Sequence, residues 1–367
     1  MVEKNFITEW AERRLAARYH WDLDVFRAKR PVSPGDMGSY RIGNPGRVLF
    51  QRRPTIKALF ITEWHRFGNS VKQLRNVFHA ADMLDISTIC FAKAHPVFAG
   101  EGVQGPRLIW QVENSGHAPS IEGSFFHLDA FGLAPTPAQT SRIFASLIRP
   151  LVKSEIQDAD PRVAEDDVVL HFRSGDAFSE PESAQNHGQP PLSYYLSAVE
   201  RERPARVWLV FEDRGNPCID EAEAALKSFG IDVMIQSTTL VDDIRLLMSA
   251  RRLVAGRGSF AYWIAHLSGR LRRAYFLHKP GRMWALRHLG VEVVLAEDRD
   301  GEFEAKVLRG NWEGSPAQKE LLLAYPAEKL KFSILGPRDA KIRKKGRAPI
   351  TSREFLKVRA GIWRSRH

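Results

Sequence analysis

The sequence predicts an α/β protein built from two domains, each with a largely parallel sheet. The first observation is length, because at 367 residues the chain exceeds the ~250–300 residues at which one hydrophobic core stops growing. The second is an alternation of short β-branched apolar runs with longer amphipathic segments, which is typical of βαβ units. The third is composition, since 44% hydrophobic and 26% charged residues describe an ordinary globular protein.

The first half of the chain alternates less regularly than the second. Residues 1–54 combine apolar residues at helix-like spacings with a loop rich in Pro and Gly, which predicts a helical and loop extension. A first domain is expected over 55–160, with a polar linker at 153–167. Its apolar runs predict strands at 56–61, 86–91, 107–112 and 125–128, and helices at 70–84 and 141–152.

The second half predicts a second domain over 161–300. Its patterns predict strands at 168–172, 207–211, 233–236, 253–255 and 274–277, and helices at 192–201, 217–229, 240–251 and 260–267. A closing helical region is expected at 301–337 and a basic extension at 338–367.

The net charge of +11 is concentrated in the tail 338–367, which holds 11 Lys or Arg and two acids. A basic segment with few apolar residues is most often a solvated extension. It also suits contact with anionic lipid, where each basic residue near the surface contributes roughly 1 kcal/mol. Nucleic acid is the least favoured partner, because the chain shows no nucleic-acid-binding module.

Two features of the sequence address location. The cysteines, Cys90 and Cys218, lie far apart and predict neither a disulfide framework nor a zinc site, as in a reducing compartment. No apolar run approaches the ~20 residues that cross a bilayer, and acids among the first residues argue against a secretory signal. We therefore expect a soluble cytoplasmic protein, peripheral to the inner membrane if the tail binds lipid.

The most informative segment is V-V-L-H-F-R-S-G-D at 168–176, where a β-branched run ends in His171, Arg173, Gly175 and Asp176. The loop that leaves the carboxyl end of a strand is where ligands bind in open α/β sheets. A guanidinium grips phosphate in two-pronged fashion and keeps its charge, and a glycine lets the backbone come close. The alternative is a surface turn in which Arg173 pairs with Asp176.

A second strand exit reads T-E-W-H-R-F-G-N-S at 62–70 and leads into a helix. It presents Arg66 and Asn69, and Asn69 or Ser70 is suited to cap that helix. Taken alone, the segment is also an ordinary Gly-Asn turn before a helix.

A third strand exit follows 207–211 and carries Glu212 and Asp213. These carboxylates either meet a ribose hydroxyl or a base, or form the turn before the helix at Pro217. Turn chemistry favours the second interpretation.

The fourth exit lies within 240–264, where Asp243 opens one helix and Gly258, Ser259 and Phe260 begin the next. Unbonded amides at a helix start, together with a hydroxyl, form an anion site. The alternative is a plain serine N-cap. Four ordered exits that each offer phosphate- or ribose-compatible groups favour a phosphate-containing ligand.

Four segments resemble the fucosyltransferase superfamily, which spans α-1,2-, α-1,6- and protein O-fucosyltransferases. H-F-R-S-G-D at 171–176 resembles its H-x-R-x-G-D hallmark, and R-F-G-N at 66–69 its glycine-asparagine loop. D-I-x-x-L with a serine sixteen residues later, at Asp243 and Ser259, resembles the guanosine-binding segment of the α-1,6 branch. S-F-A-Y-W-I-A, which begins at that serine, is similar to S-F-x-W-W-A-A of the α-1,2 branch.

The resemblance spans residues 56–280 and has two departures. Serine stands at Ser70 where glutamine is usual, and the loop at 178–191 matches no branch. It implies a GT-B-like fold, with two Rossmann-like domains facing across a cleft. It also implies an inverting, metal-independent transfer from GDP-fucose to a glycan or glycolipid hydroxyl, with no cofactor.

Carried onto the matching residues, the resemblance assigns two groups of roles. Arg173 would hold the β-phosphate, Asp243 the guanine or ribose, and Ser259 the diphosphate. The donor-binding group as a whole is His171, Gly175, Asp176, Asp243, Gly258, Ser259 and Phe260. The catalytic group is Arg173, Arg66, Asn69 and Glu63, of which Arg66 and Asn69 would lie near the reacting carbon.

The catalytic base stays open between Glu63, His65 and Asp176, and Glu63 is also able to pair with Arg66. Two other functions remain as alternatives. One is transfer from another nucleotide sugar. The other is a non-catalytic protein that binds nucleic acid or a partner through its basic tail.

Three D-x-D triplets raise the question of a metal-dependent transfer: Asp22/Asp24, Asp158/Asp160 and Asp298/Asp300. Only the last follows an apolar strand, and Gly301 after it favours a hairpin turn. We therefore predict no metal site.

Overall fold

Two units of the α/β class make up the part of the chain that the computed structural model describes. The described residues are 27–29, 58–84, 86–104, 107–111, 120–126, 134–179, 188–277, 280–308 and 312–336. Their contacts divide the chain between Gln139 and Thr140. Each unit has a largely parallel sheet of its own, which confirms the predicted fold class. The basic tail 338–367, and most of the predicted extension 1–54, lie outside the described residues.

The first unit contains a six-stranded sheet in the order β1-β6-β2-β3-β5-β4. Its strands are β1 Arg27–Lys29, β2 Ala58–Ile61, β3 Thr88–Phe91, β4 Glu101–Gln104, β5 Arg107–Gln111 and β6 Ser120–Gly123. The four inner strands are parallel, and the two edge strands, β1 and β4, are antiparallel to their neighbours.

Two expectations for this sheet are corrected. The strand expected at 125–128 is instead β6, which ends at Gly123, and Phe125 has a left-handed backbone with φ 55° that no strand accommodates. The extension 1–54 is not helix and loop throughout, because β1 pairs antiparallel with β6.

Helix α1, Phe67–Leu84, follows β2 and starts three residues before the expected position. Its buried face repeats at helical spacing through Val71, Leu74 and Phe78. The expected cap at Asn69 or Ser70 is wrong, because both lie inside the first turn. The hydroxyl of Ser70 instead donates to the carbonyl oxygen of His65 at 2.6 Å.

The second unit contains a seven-stranded sheet in the order β13-β12-β11-β10-β7-β8-β9. Its strands are β7 Val168–His171, β8 Arg206–Val210, β9 Asp232–Gln236, β10 Arg252–Ala255, β11 Arg273–Leu277, β12 Glu292–Asp298 and β13 Leu330–Ile334. All pairs are parallel except β12 with β13. The five strands expected from 168 to 277 are confirmed, each to within one residue at either end.

Helices connect these strands along the chain. They are α2 Pro137–Ile143, α3 Ser154–Gln157, α4 Asp176–Ser179, α5 Leu192–Glu202, α6 Cys218–Ser228, α7 Leu240–Ser249, α8 Phe260–Leu267, α9 Pro280–His288 and α10 Pro316–Ala324. Short π- and 3₁₀-helical turns lie at Phe144–Ile148, Arg149–Leu151, Glu304–Leu308 and Ala327–Lys329. The region 301–337, expected to be helical, therefore ends in the strand β13. None of the helices described is long and apolar enough to cross a membrane.

The boundary between the units lies earlier than the one expected at residue 160. The segment that begins at Thr140 packs in the second unit, where Phe144 stacks on Trp263 with ring centroids 5.4 Å apart. Arg149 donates to the carbonyl oxygen of His266 at 3.0 Å, close to the end of α8. Polar composition at 153–167 predicts a linker, but Ile156 is buried there and the Asp160 amide donates to the hydroxyl of Ser249 at 2.8 Å. The segment therefore lies inside the second unit.

Candidate functional site

The candidate site lies where the strand order of the second sheet reverses. From β7 the chain proceeds through β8 to the edge strand β9, and β10 then returns to the other side of β7. Because β7 and β10 are parallel neighbours with Ala255 opposite His171, the loops that follow them leave side by side. In open α/β sheets, ligands bind at such a reversal, outside the carboxyl ends of the strands.

Arg173 lies on the first of these loops and reaches the second. Its guanidinium packs against Gly258, so closely that a Cβ at residue 258 would stand 2.7 Å from Nη1. Its Nη2 also pairs with Oδ1 of Asp176 at 3.2 Å. The pairing that the alternative interpretation predicts is therefore present, and the guanidinium of Arg173 lies beside the residues that lead into α8. Phosphate binding by Arg173 stays a prediction.

His171, the last residue of β7, is buried beneath this loop. Its ring stacks on Phe260 with centroids 5.2 Å apart. Burial, together with the charge of Arg173, lowers the pKa of His171 to about 3. Among the described residues, its Nδ1 has no hydrogen-bond partner. A neutral imidazole packs well against an aromatic ring, whereas a charged one would be repelled by the neighbouring guanidinium.

Ser259 occupies the N-cap position of α8, as expected. Its hydroxyl makes no capping hydrogen bond, while its carbonyl oxygen accepts the amide of Trp263 at 3.0 Å. The first amides of a helix have no partner within the helix and carry its positive partial charge. The guanidinium of Arg173 thus lies beside the residues that lead into the first turn of α8.

The loop after β8 is joined by hydrogen bonds to the loop that carries Arg173. Asp213 accepts the amides of Gly175 at 3.2 Å and Gly215 at 2.7 Å. The side chain of Asn216, only 1% exposed, donates to the carbonyl oxygen of Arg173 at 3.0 Å. Asp213 is therefore a turn residue, the interpretation that the sequence favours.

The same packing explains why residue 175 is a glycine. Its φ is 59°, and a Cβ there would stand 2.7 Å from Oε2 of Glu212. A side chain is thus opposed both by the left-handed backbone and by the Glu212 carboxylate. The Glu212 carboxylate lies beside the loop that carries Arg173. The hydrogen bonds that define the turn come from Asp213 and not from Glu212.

Two amide side chains in this site escaped the sequence analysis. One is Asn216, for which the Asn-Pro pair at 216–217 signals only a turn. The other is Gln189, which is buried and holds Arg257: it accepts the amide at 3.1 Å and donates to the carbonyl oxygen at 3.2 Å. Nothing in the local sequence marks Gln189.

Asp243 lies at the same edge of the sheet, in the first turns of α7, whose cap is Thr239. Asp243 lies in the first turn of this helix, as expected. Its Oδ1 accepts Nε2 of Gln236 at 3.0 Å, at the end of β9. Burial raises the pKa of Asp243, and the nearby Asp242 and Glu212 carboxylates raise it further. A half-buried carboxylate of this kind gains from a ligand that donates hydrogen bonds.

The remaining expected residues belong to the first unit. Glu63 and Arg66 are exposed on the segment after β2, and Asn69 is partly exposed in the first turn of α1. The structure therefore groups Glu63, Arg66 and Asn69 in one unit and the donor-binding residues in the other.

Gln73 on α1, another residue that the sequence analysis missed, fixes this segment. Its buried Nε2 donates to the carbonyl oxygens of Glu63 at 3.0 Å and Ser124 at 2.8 Å, and its Oε1 accepts the amide of His65 at 3.2 Å. The segments after β2 and β6 are joined through this one side chain.

The D-x-D triplet at Asp298 has a structural role. Its carboxylate accepts the amide of Glu304 at 3.0 Å and the hydroxyl of Tyr325 at 2.6 Å. The expected hairpin after Asp298 is wrong, because the chain turns at Gly301 into the π-helical turn that begins at Glu304. No group of three or more His, Cys, Asp or Glu in the described part of the chain is arranged to hold a metal ion.

Comparison with known proteins gives matches in structure alone. No model of a known protein family matches the chain, and no curated protein matches its sequence. POFUT1 in complex with GDP is 13% identical, with a TM-score of 0.40 over 60% of this chain and 97% of that chain. A mutant of Arabidopsis thaliana FUT1 in complex with GDP is 10% identical, with a TM-score of 0.35 over 65% and 70%. ADP-heptose lps heptosyltransferase II of E. coli is 13% identical, with a TM-score of 0.36 over 65% and 90%. At these TM-scores we draw no conclusion about this chain from the likeness.

Proposed function

We propose that the protein is an inverting, metal-independent glycosyltransferase that moves fucose from GDP-fucose to a hydroxyl of a glycan or glycolipid acceptor. The observation that carries the proposal is the position of Arg173, at the strand-order reversal and against Gly258 at the start of α8. The choice of GDP-fucose as donor and of an inverting transfer rests on a resemblance to the fucosyltransferase motifs. The residues that carry it are 171–176, and Asp243 with Ser259.

In the proposed step, an acceptor oxygen bonds to C1 of fucose from the side opposite the diphosphate. The bond from C1 to the β-phosphate oxygen breaks, and its electron pair leaves with GDP. Arg173, Ser259 and the first amides of α8 stabilise the negative charge that grows on the leaving group. A preorganised donor of this kind typically contributes about 2.7–4 kcal/mol to transition-state stabilisation.

The acceptor proton passes to Glu63 in this proposal. Asp176 is a weaker choice, because its carboxylate pairs with Arg173 at 3.2 Å and serves to position it. Glu63 is exposed, and its backbone is held by Gln73 at 3.0 Å. Arg66 and Asn69 are proposed to bind close to the reacting carbon.

Asp243 is proposed to recognise guanine. Guanine presents an N–H and an amino group side by side, which suits the two oxygens of a carboxylate. Adenine and the pyrimidines do not present the same pair of donors. The raised pKa of Asp243 supports this assignment, since paired donors would offset the desolvation of its charged form.

Nucleotide binding tests the proposal directly. Thermal unfolding is followed with GDP, GDP-fucose, ADP, UDP and CMP, each with and without a chelator. A ligand at a hundredfold excess over its Kd adds ~2.7 kcal/mol of stability, and we expect this from GDP and GDP-fucose in the presence of chelator. Stabilisation by UDP alone, abolished by the chelator, contradicts the proposal.

The role of Arg173 is tested by turnover of GDP-fucose. Arg173→Ala is expected to lower kcat by about a hundredfold or more, as for removal of one oxyanion donor. Arg270→Ala, at an exposed arginine of the same unit, is the matched control and should leave kcat unchanged. Undiminished turnover in Arg173→Ala overturns the catalytic assignment.

A further inference from the structure

Gln236, the last residue of β9, is buried at the carboxyl edge of the second sheet and bonds to Asp243. Its surface is 2% exposed, so the polar atoms of its side chain need partners within the protein. Its Oε1 accepts Nη2 of Arg162 at 3.2 Å. Its Nε2 donates to Oγ1 of Thr238 at 2.6 Å and to Oδ1 of Asp243 at 3.0 Å. The carbonyl oxygen and both N–H groups of the side-chain amide therefore each have a partner.

Arg162 fixes the direction in which the amide of Gln236 faces. A guanidinium has N–H donors and no acceptor, so the amide oxygen must face it. Arg162 is itself held, because its Nε and Nη2 donate to the two carboxylate oxygens of Asp160 at 2.9 and 2.6 Å. The hydrogen bond from Arg162 lowers the pKa of Asp160, so the pair stays charged at neutral pH. An amide turned the other way would set its NH2 group against Arg162 and its oxygen against the Asp243 carboxylate.

The neighbouring Asp242 has different partners. Its Oδ2 accepts the hydroxyl of Thr239 at 2.7 Å and that of Thr238 at 3.3 Å, and its amide donates to Thr239 at the cap of α7. Asp242 therefore serves the start of the helix. Asp243 instead meets an amide group that is able only to donate to it. A donor favours the charged form of a carboxylate, and a charged carboxylate offers acceptors alone.

We infer that Gln236, oriented by Arg162, makes the nucleotide site selective for a base that presents two adjacent donors. Guanine presents its ring N–H beside its amino group, whereas hypoxanthine lacks that amino group and presents the ring N–H alone. The inference rests on the proposed recognition of guanine by Asp243 and deepens it, since it names the residues that set the selectivity. Gln236 acts through Asp243, and Arg162 acts through Gln236, so both are positioning residues.

The test compares the Kd of GDP with that of inosine diphosphate, whose base is hypoxanthine, by calorimetric titration. We expect the wild type to bind GDP about tenfold more tightly, because the missing amino group leaves a carboxylate oxygen without its donor. Gln236→Glu keeps the size of the side chain and replaces the donor to Asp243 by a carboxylate. It should reduce the preference to about twofold or less.

Two variants of Arg162 test the orientation of the amide separately. Arg162→Ala removes the group that holds the amide oxygen and should reduce the preference for GDP as well. Arg162→Lys keeps a group that only donates, so it should recover part of the preference.

Gln157→Glu is the matched control, because it makes the same chemical change at an exposed glutamine of the same unit. The side chain of Gln157 donates to the carbonyl oxygen of Val152, at the end of α3. This variant should keep the wild-type ratio of the two dissociation constants.

The outcomes separate this inference from the proposed function. If the wild type prefers GDP, and Gln236→Glu and Arg162→Ala keep that preference, the inference is overturned and the proposed function stands. Equal weakening of both nucleotides in Gln236→Glu would assign Gln236 to the structure of the loop and also overturn the inference. If the wild type itself binds neither diphosphate, or binds both equally, the recognition of guanine by Asp243 falls and the inference falls with it.

Discussion

The side-chain amide of Asn216 donates to the carbonyl oxygen of Arg173 at 3.0 Å, from a position with 1% of its surface exposed. Its Oδ1 meanwhile accepts the amide of Cys218 at 3.0 Å, at the start of α6. One buried side chain therefore ties the loop after β8 to the proposed phosphate-binding loop after β7. Asn216 acts on the site through the backbone of Arg173 and is therefore a positioning residue.

Asn216→Ala is expected to weaken both the fold and the site. It leaves two buried backbone groups without their partner, which costs about 1–3 kcal/mol of unfolding free energy. Arg173 loses its backbone anchor, so the Kd for GDP should rise about tenfold while the acceptor KM stays unchanged. Asn216→Asp keeps the acceptor for Cys218 and loses the donor to Arg173, and it should recover stability more than affinity. Equal affinity for GDP in all three proteins would refute the positioning role.

Gly258→Ala tests the close approach between residue 258 and Arg173. The added Cβ would stand 2.7 Å from Nη1, and φ at residue 258 is 140°. Because the atom it meets is the end of a flexible side chain, we expect Arg173 to move away and GDP affinity to fall about tenfold. The backbone strain should cost about 1–3 kcal/mol of stability.

Gly269→Ala provides the matched comparison, because a Cβ there meets nothing within 4 Å. It should change neither GDP affinity nor the unfolding temperature. Calorimetric titration with GDP and thermal unfolding of both variants make the comparison, and wild-type affinity in Gly258→Ala would remove the contact from the site.

The sequence predicts strands β7 to β11 of the second sheet and the loop of Arg173, for a physical reason. Short apolar runs that end in turn residues are local signals, and β7 to β11 all carry them. The amides that assemble the site act over longer distances. Asn216 and Arg173 are 43 positions apart, and Gln189 and Arg257 are 68 apart. Such bonds join a side chain to a distant backbone atom, and a backbone atom carries no signature in the sequence.

The start of α1 shows a second reason for error. Serine is a residue type that often caps helices, yet the hydroxyl of Ser70 donates to the carbonyl oxygen of His65 instead. A local propensity names the residues suited to a cap, while tertiary packing decides which hydrogen bond forms. The same competition moved the boundary between the units, because a polar segment at 153–167 lies among buried contacts such as the Asp160 amide bonded to Ser249 at 2.8 Å.

Glu202 is expected to matter for stability and not for nucleotide binding. Its side chain is 3% exposed and pairs with Arg252 at 3.3 Å and Arg273 at 2.8 Å. These arginines begin β10 and β11, at the end of the sheet away from the candidate site. Glu202→Gln should cost about 2–3 kcal/mol, less than a fully buried pair because both arginines are partly solvated.

Glu165→Gln is the control for Glu202, since the Glu165 carboxylate also pairs with an arginine but is 79% exposed. We expect its unfolding free energy to change by less than about 0.5 kcal/mol. Urea unfolding measures both variants, and the GDP Kd should be unchanged in each. A Glu202 variant as stable as the wild type would show that the ion pairs of Glu202 with Arg252 and Arg273 contribute little to the free energy of unfolding.

His171 gives the fold a dependence on pH. Burial beside Arg173 lowers its pKa to about 3, against ~6.5 in an unfolded chain. Between these values the unfolded chain binds a proton that the folded protein does not, so the free energy of unfolding falls as the pH drops. The slope contributed by one such group is at most ~1.4 kcal/mol per pH unit. Above ~6.5 the imidazole is neutral in both states and contributes no slope.

His171→Gln removes this proton from the balance while keeping a polar side chain under the loop. We expect the variant to be less stable than the wild type near neutral pH, because it loses the stacking on Phe260. Its stability should fall less steeply than that of the wild type as the pH drops below ~6.5. Urea unfolding at closely spaced pH values gives both slopes. Parallel curves for the two proteins would mean that His171 takes up its proton in the folded state as readily as in the unfolded chain, and the buried neutral imidazole would have to be abandoned.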